Sequence, residues 1–426
     1  MVNDSQGAEI AETSKPLRTV CPGCSLLCDD ILAIRHAAGP IEIHGACSVG
    51  QQWYQRRSDN LPAQHYLAGH PVGLEEALQA AARYIHAASM PLICGIQDWP
   101  LEAQQQAVTC IRKTGGYIAL QDSPGPRPPK FSAPSDFGQV TATLGIVNRS
   151  AEIVLFWYTD PSRTHPRLIE RHCQTARRLI AIQDPASPCL SSSDPRLEVW
   201  HLDRNQARQA LALVDGSLNT PPTAIEETAF LAEPRWQELG NMLRHKLSAW
   251  FIGPPTNGSV CSSEMTSERF ELHRLIVKLN QYSRAFSLEL TEHSNQTGAH
   301  NVLTWSSGQA GVLHIERGGA AAFECQSSVA QLLSDNVCDV ILAGDGISRD
   351  TLLKPTDNRA VRRILLFSSF DTAVLQADVA IAVSQVGWDG SGEYCRLDHL
   401  TLYLPELAST TRPSPYSVLS HLYNDG

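Results

Sequence analysis

The sequence predicts an α/β protein, with a small N-terminal cysteine-cluster domain followed by two pseudo-duplicated, Rossmann-like parallel-sheet domains. Three observations predict it. Apolar runs of strand length alternate with helix-length amphipathic stretches, the order of elements restarts after a turn-rich segment at 215–223, and four cysteines crowd into residues 21–47. A chain of 426 residues can bury two or three hydrophobic cores.

Residues 1–17 are polar and lack the basic-then-apolar layout of a secretory signal, so they are expected to form a flexible lead. Residues 18–70 form the expected cysteine-cluster domain. Its core is Cys21-Pro22-Gly23-Cys24-Ser25-Leu26-Leu27-Cys28-Asp29-Asp30, with Cys47 arriving later in Gly45-Ala46-Cys47-Ser48. The C-x2-C-x3-C spacing puts three sulfurs round one tight loop, and a fourth from a later turn can close the four-thiolate cage of a 4Fe-4S cluster. Structural zinc is the competing reading, although zinc ribbons usually pair two C-x2-C knuckles. Cys21, Cys24, Cys28 and Cys47 are therefore the expected metal ligands.

The first α/β domain is expected over 71–214. Apolar residues at Leu74, Ala77, Leu78, Ala81, Ala82 and Ile85 make a helical stripe. The short run Pro91–Cys94 reads as a strand, and a second helix runs from Leu101 to about Lys113 before the Gly115-Gly116 stop. Further strands are expected at Ile153–Tyr158, Leu179–Ile182 and Leu197–Trp200.

Asp215–Thr223 is rich in turn formers and is expected, with residues up to 225, to be a linker. The second α/β domain, 226–426, then repeats the order: a helix from Arg235, a strand at Ala249–Gly253 and a helix from Ser267 to Leu279. Strands follow at Cys338–Gly344, Arg362–Phe367 and Ala377–Val383. A crevice between two such halves would suit a large cofactor.

A net charge of −10 argues against nucleic-acid and anionic-membrane partners, which reward excess Lys and Arg. No run of ~18 apolar residues is present. Twelve cysteines in a chain this long suit a reducing, cytoplasmic setting better than a disulfide framework. There is no Walker loop, H-E-x-x-H, EF-hand or Gly-x-Ser-x-Gly elbow, and the fifteen histidines are scattered.

The cysteine stretch resembles the opening of the B subunit of formylmethanofuran dehydrogenase, a molybdopterin oxidoreductase, and of its bacterial counterpart in the formyltransferase/hydrolase complex. The resemblance extends through most of the chain. It implies a 4Fe-4S cluster and a tungsto- or molybdopterin guanine dinucleotide. It also implies a hetero-oligomer in one-carbon metabolism, with a C subunit, an amidohydrolase-like A subunit and a formyltransferase subunit as partners. Cofactor-binding roles are implied for His165 and Arg167, and for Gly387, Asp389, Gly392 and Arg396 in the 377–398 segment. Arg317 would be the active-site cation that contacts the formate-like intermediate.

Two departures stand out. The family's metal-binding Cys-His pair would fall in Leu120–Pro128, where this chain has Asp122, Ser123 and Pro124 instead. Tungsten or molybdenum needs a soft, ionised ligand that these residues do not offer. Tyr158 also stands where the resemblance has glycine, which lets backbone approach a pyrophosphate. The expectation is a scaffold with a decayed redox site. An active tungsten or molybdenum dehydrogenase subunit is the alternative.

Overall fold

The structure, a computed structural model, describes residues 16–36, 40–59, 64–120, 138–186, 194–219, 234–253, 263–309, 311–319, 321–323, 328–353 and 361–423. The chain opens with a three-stranded antiparallel sheet, β1 (Leu17–Thr19), β2 (Ile31–Ile34) and β3 (Glu42–His44), followed by the helix Ser48–Asp59. Cys21, Cys24 and Cys28 all lie on the β1–β2 connection, and Cys47 lies in the turn after β3.

The next strands are β4 (His65–Leu67), β5 (His70–Val72), β6 (Pro91–Cys94) and β7 (Gly116–Ala119). Helix Leu74–Ala87 buries Ala77, Leu78, Ala81 and Ile85 of the expected stripe. Helix Leu101–Thr114 ends where Gly115 takes φ 77°, a conformation that favours glycine. Then come β8 (Ile153–Trp157), β9 (Arg178–Gln183), β10 (Leu197–His201), β11 (Ser248–Ile252) and β12 (Ala285–Glu289). They form one wholly parallel sheet in the order β10-β9-β8-β11-β12. Every residue of β8 and β11 is buried, as continuous apolar strands covered on both faces should be. Phe156 and Phe251 stack across the pair with ring centroids 5.7 Å apart, and burying each ring favours folding by roughly 1.5–3 kcal/mol.

The chain then returns to its earlier sheet with β13 (Val312–Ile315), β14 (Ala321–Phe323), β15 (Val340–Ala343), β16 (Arg362–Phe367) and β17 (Val379–Ala382). The resulting sheet has the order β14-β13-β7-β6-β15-β16-β17-β4-β5, parallel from β7 to β17 and antiparallel at both edges. A hairpin of β18 (Gly392–Cys395) and β19 (Thr401–Leu404) and the helix Pro415–Tyr423 complete the described chain.

The two α/β bodies are therefore interleaved along the chain and do not follow the division into 71–214 and 226–426. Strand β8 pairs with β11, and β6 pairs with β15, so each sheet draws on both sides of the expected linker. Residues Asp215–Asn219 of that linker are instead the end of the helix Arg204–Asn219. Leu218 is buried there, and Lys278 Nζ lies 2.6 Å from the Asp215 carboxylate. Residues 220–225 lie outside the described residues.

In both parallel sheets the chain winds outward in two directions from a central pair, β8/β11 in one and β6/β15 in the other. The carboxyl ends of such a pair are the topological switch point where an open α/β sheet binds ligands.

Candidate functional site

The cysteine loop is closed by its own backbone. Cys21 N–H donates to Cys28 O at 2.8 Å, Leu27 N–H donates to Cys24 O at 3.1 Å, and Leu27 itself turns through φ 42°. Two glycines let the arms meet. A Cβ on Gly50 would lie 2.8 Å from Cys21 Sγ, and one on Gly23 would lie 2.9 Å from Gly50 Cα. Gly23 N–H points at Cys21 Sγ at 3.4 Å, and Leu26 N–H bonds the Cys24 sulfur. Such N–H groups stabilise thiolates.

Burial pushes the Cys21 thiol up to about 12 and raises Cys24 and Cys28 as well, and Cys21, Cys28 and Cys47 each raise Cys24 further. The sulfurs of Cys21, Cys28 and Cys47 thus lie close enough to Cys24 to oppose its ionisation. Iron would remove that cost by supplying the missing positive charge, so the donor set fits a cluster. Among the described residues, no three His, Cys, Asp or Glu side chains converge as a single metal ion would require. A cubane spreads its four thiolates more widely than one tetrahedral ion does.

The predicted crevice residues hold this loop in place. Arg167 forks onto Asp30 (Nη1–Oδ1 2.8 Å, Nη2–Oδ2 2.7 Å) and also reaches Gly45 O at 3.1 Å. His165 is buried, sharing a hydrogen bond with Ser25 Oγ at 2.9 Å through Nε2 and another with Thr164 Oγ1 at 2.9 Å through Nδ1. The 384–398 segment closes over the same loop. Gly387 (φ 81°) leaves room for Pro22, since a Cβ there would sit 2.9 Å from the proline Cγ, and Leu397 N–H donates to Ser25 O at 3.1 Å. Asp389 accepts from Gln385 N–H at 2.8 Å and from Arg412. Gly392 packs against Pro100, and Arg396 makes a bidentate pair with Asp398 at 2.7 and 2.8 Å. The resemblance implied cofactor contacts for these residues, but the described structure gives them partners within the chain.

The strand ends at both switch points are likewise filled. At β8/β11, Tyr158 adopts φ 47°, its hydroxyl donates to the Leu202 and Asp203 carbonyls at 2.9 and 3.0 Å, and Arg204 stacks 3.5 Å over its ring. A Cβ on Gly253 would run into the Tyr158 carbonyl, so this glycine serves a close approach of the chain to itself. Glu268 lies beneath, wholly buried, bonded to Trp157 Nε1 and 2.7 Å from Arg204, with burial pushing its carboxyl up. A phosphate-bearing ligand would meet an aromatic plug, a buried carboxyl and a guanidinium already engaged. The described residues here do not fit a pterin guanine dinucleotide. At β6/β15, a Cβ on Gly95 (φ 71°) would lie 2.7 Å from Gly344 O, and Gly344 and Gly346 donate to Cys94 O and Gly95 O at 2.9 and 3.1 Å. Here too the glycines bring two chain segments together.

No protein-family model matches the chain. The B subunit of tungsten-containing formylmethanofuran dehydrogenase 2 from Methanocaldococcus jannaschii is 23% identical over 358 residues, covering 76% of this chain and 77% of that protein. Its namesake from Methanococcus maripaludis is 22% identical over 317 residues, covering 70% and 72%. The chain is similar to the formylmethanofuran dehydrogenase B subunit. A chain of the formyltransferase/hydrolase complex (FhcABCD) from Methylorubrum extorquens, solved with methylofuran, superposes with a TM-score of 0.62 at 17% identity, covering 84% of this chain and 97% of that one. That likeness shows a shared fold.

The structure places Arg317, the active-site cation that the resemblance implied, at the edge of the nine-stranded sheet. It sits, exposed, after β13, where Ile315 pairs with Gly116 at the amino end of β7, and its Nε donates to Lys113 O at 3.1 Å. Because β13 runs antiparallel to β7, its end points away from the carboxyl ends of the parallel strands. Arg317 therefore lies at the opposite end of its sheet from the β6/β15 switch point. The stretch Asp122–Pro128 lies outside the described residues.

Sequence reasoning missed Arg171, which hydrogen-bonds the Cys28 thiol, and the pair Asp98–His293 (2.7 Å), which joins the segments after β6 and β12. Burial acts to raise the Asp98 carboxyl, but His293 and Ser294 outweigh it and hold it below its usual value. The Asp29-Asp30 pair beside Cys28 and the one-turn spacing of Arg167 and Arg171 were the available signals for the first of these.

Burial holds the His165 imidazole down at about 4. In the unfolded chain it would take up a proton near 6.5, so its neutral packing contributes fully above about pH 6.5 and is lost as pH falls towards 4. The loss amounts to about 3 kcal/mol. Urea titrations of the wild type should show stability falling across that window, and His165→Gln should flatten the fall.

Proposed function

We propose that this chain is the scaffold, equivalent to the B subunit, of a formyltransferase/hydrolase-like complex in tetrahydromethanopterin-linked one-carbon metabolism. In such a complex a formyl group passes to a furan-type carrier and leaves hydrolytically as formate. The partners would be a C subunit, an amidohydrolase-like A subunit and a formyltransferase subunit. The observation that carries this reading is Tyr158, which, with Glu268 and Arg204, fills the β8/β11 switch point that a dinucleotide would need. The missing Cys-His pair at 122–128 supports it. No described helix is long and apolar enough to cross a membrane, and a cytoplasmic location belongs to this same proposal.

The cysteine loop supports a second element, a retained 4Fe-4S cluster on Cys21, Cys24, Cys28 and Cys47. When bound, it would supply one-electron chemistry or a rigid clasp between the N-terminal sheet and the 384–398 segment. The chain's own part is to bring four sulfurs round one loop and to aim the N–H groups of Gly23 and Leu26 at them.

The complex, purified from cells grown on one-carbon substrates, is expected to release formate from the formylated furan but not to reduce viologen dyes with it. Dye reduction that tracks bound tungsten or molybdenum would contradict the scaffold reading and favour an active dehydrogenase.

A further inference from the structure

Two arginines one helical turn apart clasp the cysteine loop from outside. Arg167 precedes the helix Leu168–His172 and Arg171 lies within it. Asp29 and Asp30, directly after Cys28, receive both side chains: Arg167 forks onto Asp30, while Arg171 reaches Asp30 Oδ1 at 3.0 Å through Nη1 and Asp29 Oδ1 at 2.9 Å through Nη2. Arg167 also bonds Gly45 O, two residues before Cys47, so it ties the arm bearing Cys28 to the arm bearing Cys47. The bonds to Asp29 and Asp30 set the Arg171 guanidinium beside the Cys28 sulfur, where its charge favours the thiolate. One planar guanidinium is thus oriented by two carboxylates next to a thiol that would ligate iron. A lysine could not reproduce this, since its three donors radiate from one point.

We propose that Arg171 is a positioning residue for the cluster, donating a hydrogen bond to the Cys28 thiolate and raising the cluster's reduction potential. Asp29 and Asp30 hold it in register, and Arg167 keeps the two arms of the cage together. This rests on the cluster reading above. A donor and a fixed positive charge beside a ligating sulfur favour the reduced cluster, which carries one more negative charge, and so move its potential upward. The two aspartates offset the charge at longer range but do not remove the directed N–H.

The test uses the full chain reconstituted anaerobically with iron and sulfide, followed by titration with dithionite and redox mediators and read by absorbance and electron paramagnetic resonance. Arg171→Met is expected to retain iron and to lower the midpoint by about 59 mV or more, a tenfold change in the oxidised-to-reduced ratio for a one-electron couple. Arg171→Lys, which keeps the charge but loses the planar fork, should give a smaller drop of the same sign. Arg167→Met should chiefly lower the iron retained on desalting. If Arg171→Met does not fold, the Arg171→Lys potential decides. Wild-type and variant midpoints that coincide, with equal iron, would overturn the role of Arg171. A wild type that takes up no iron at all would instead overturn the cluster reading beneath it.

Discussion

Replacing Asp398 by alanine is expected to cost the fold about 3–5 kcal/mol, because it strands a buried guanidinium. Arg396 donates Nε to Oδ1 at 2.7 Å and Nη2 to Oδ2 at 2.8 Å, and the Leu144 backbone N–H donates to the same Oδ2 at 2.8 Å. The Asp398 side chain has no solvent exposure and that of Arg396 only 11%, so water cannot take over. The lost carboxylate also leaves the first turn of the helix Leu144–Ser150 without a partner for that N–H. The damage should spread to the cysteine loop, since Leu397, between the two charged residues, donates to Ser25 O. Urea unfolding measures the cost. Asp398→Asn, which keeps one acceptor, should fall between the wild type and the alanine variant, and a change of under about 1 kcal/mol in Asp398→Ala would show that the pair is dispensable.

The second large effect is chemical. Cys24→Ser should abolish iron and sulfide in anaerobically prepared protein, together with the broad absorbance near ~400 nm, because a neutral hydroxyl is a poor substitute for a thiolate in a cubane. The exchange of sulfur for oxygen leaves the loop's backbone bonds in place, so circular dichroism should be nearly unchanged. Zinc at one per chain, unaffected by reconstitution with iron, would replace the cluster by a structural ion.

Elements were legible where they rest on local pattern. The fully buried strands β8, β11, β15 and β17 are unbroken apolar runs, and the helix stop at Gly115-Gly116 is a matter of backbone freedom at two residues. The interleaving of the two sheets was not legible. That β8 pairs with β11 as well as with β9 is decided by contacts nearly 100 residues apart, which no local period encodes. The site divides in the same way. The cysteine spacing shows which sulfurs share a loop, and Tyr158 at a glycine position points to a bulky side chain at the end of β8, where its ring lies under Arg204. The position of Arg317 was not legible, because a likeness of short motifs carries no information about strand direction and β13 runs against the sheet it joins. The partners of Arg167, Asp30 and Gly45, were not legible because they lie more than 120 residues earlier in the chain.

Under the scaffold proposal, a chain similar to the formylmethanofuran dehydrogenase B subunit holds no dinucleotide, its switch points filled by its own side chains and backbone. This is tested most directly by metal and pterin analysis of the native complex from cells supplied with both tungstate and molybdate. Iron is expected, with tungsten and molybdenum far below one per chain and no pterin guanine dinucleotide on acid release. Tungsten or molybdenum near one per chain, with the pterin in matching amount, would contradict the scaffold proposal.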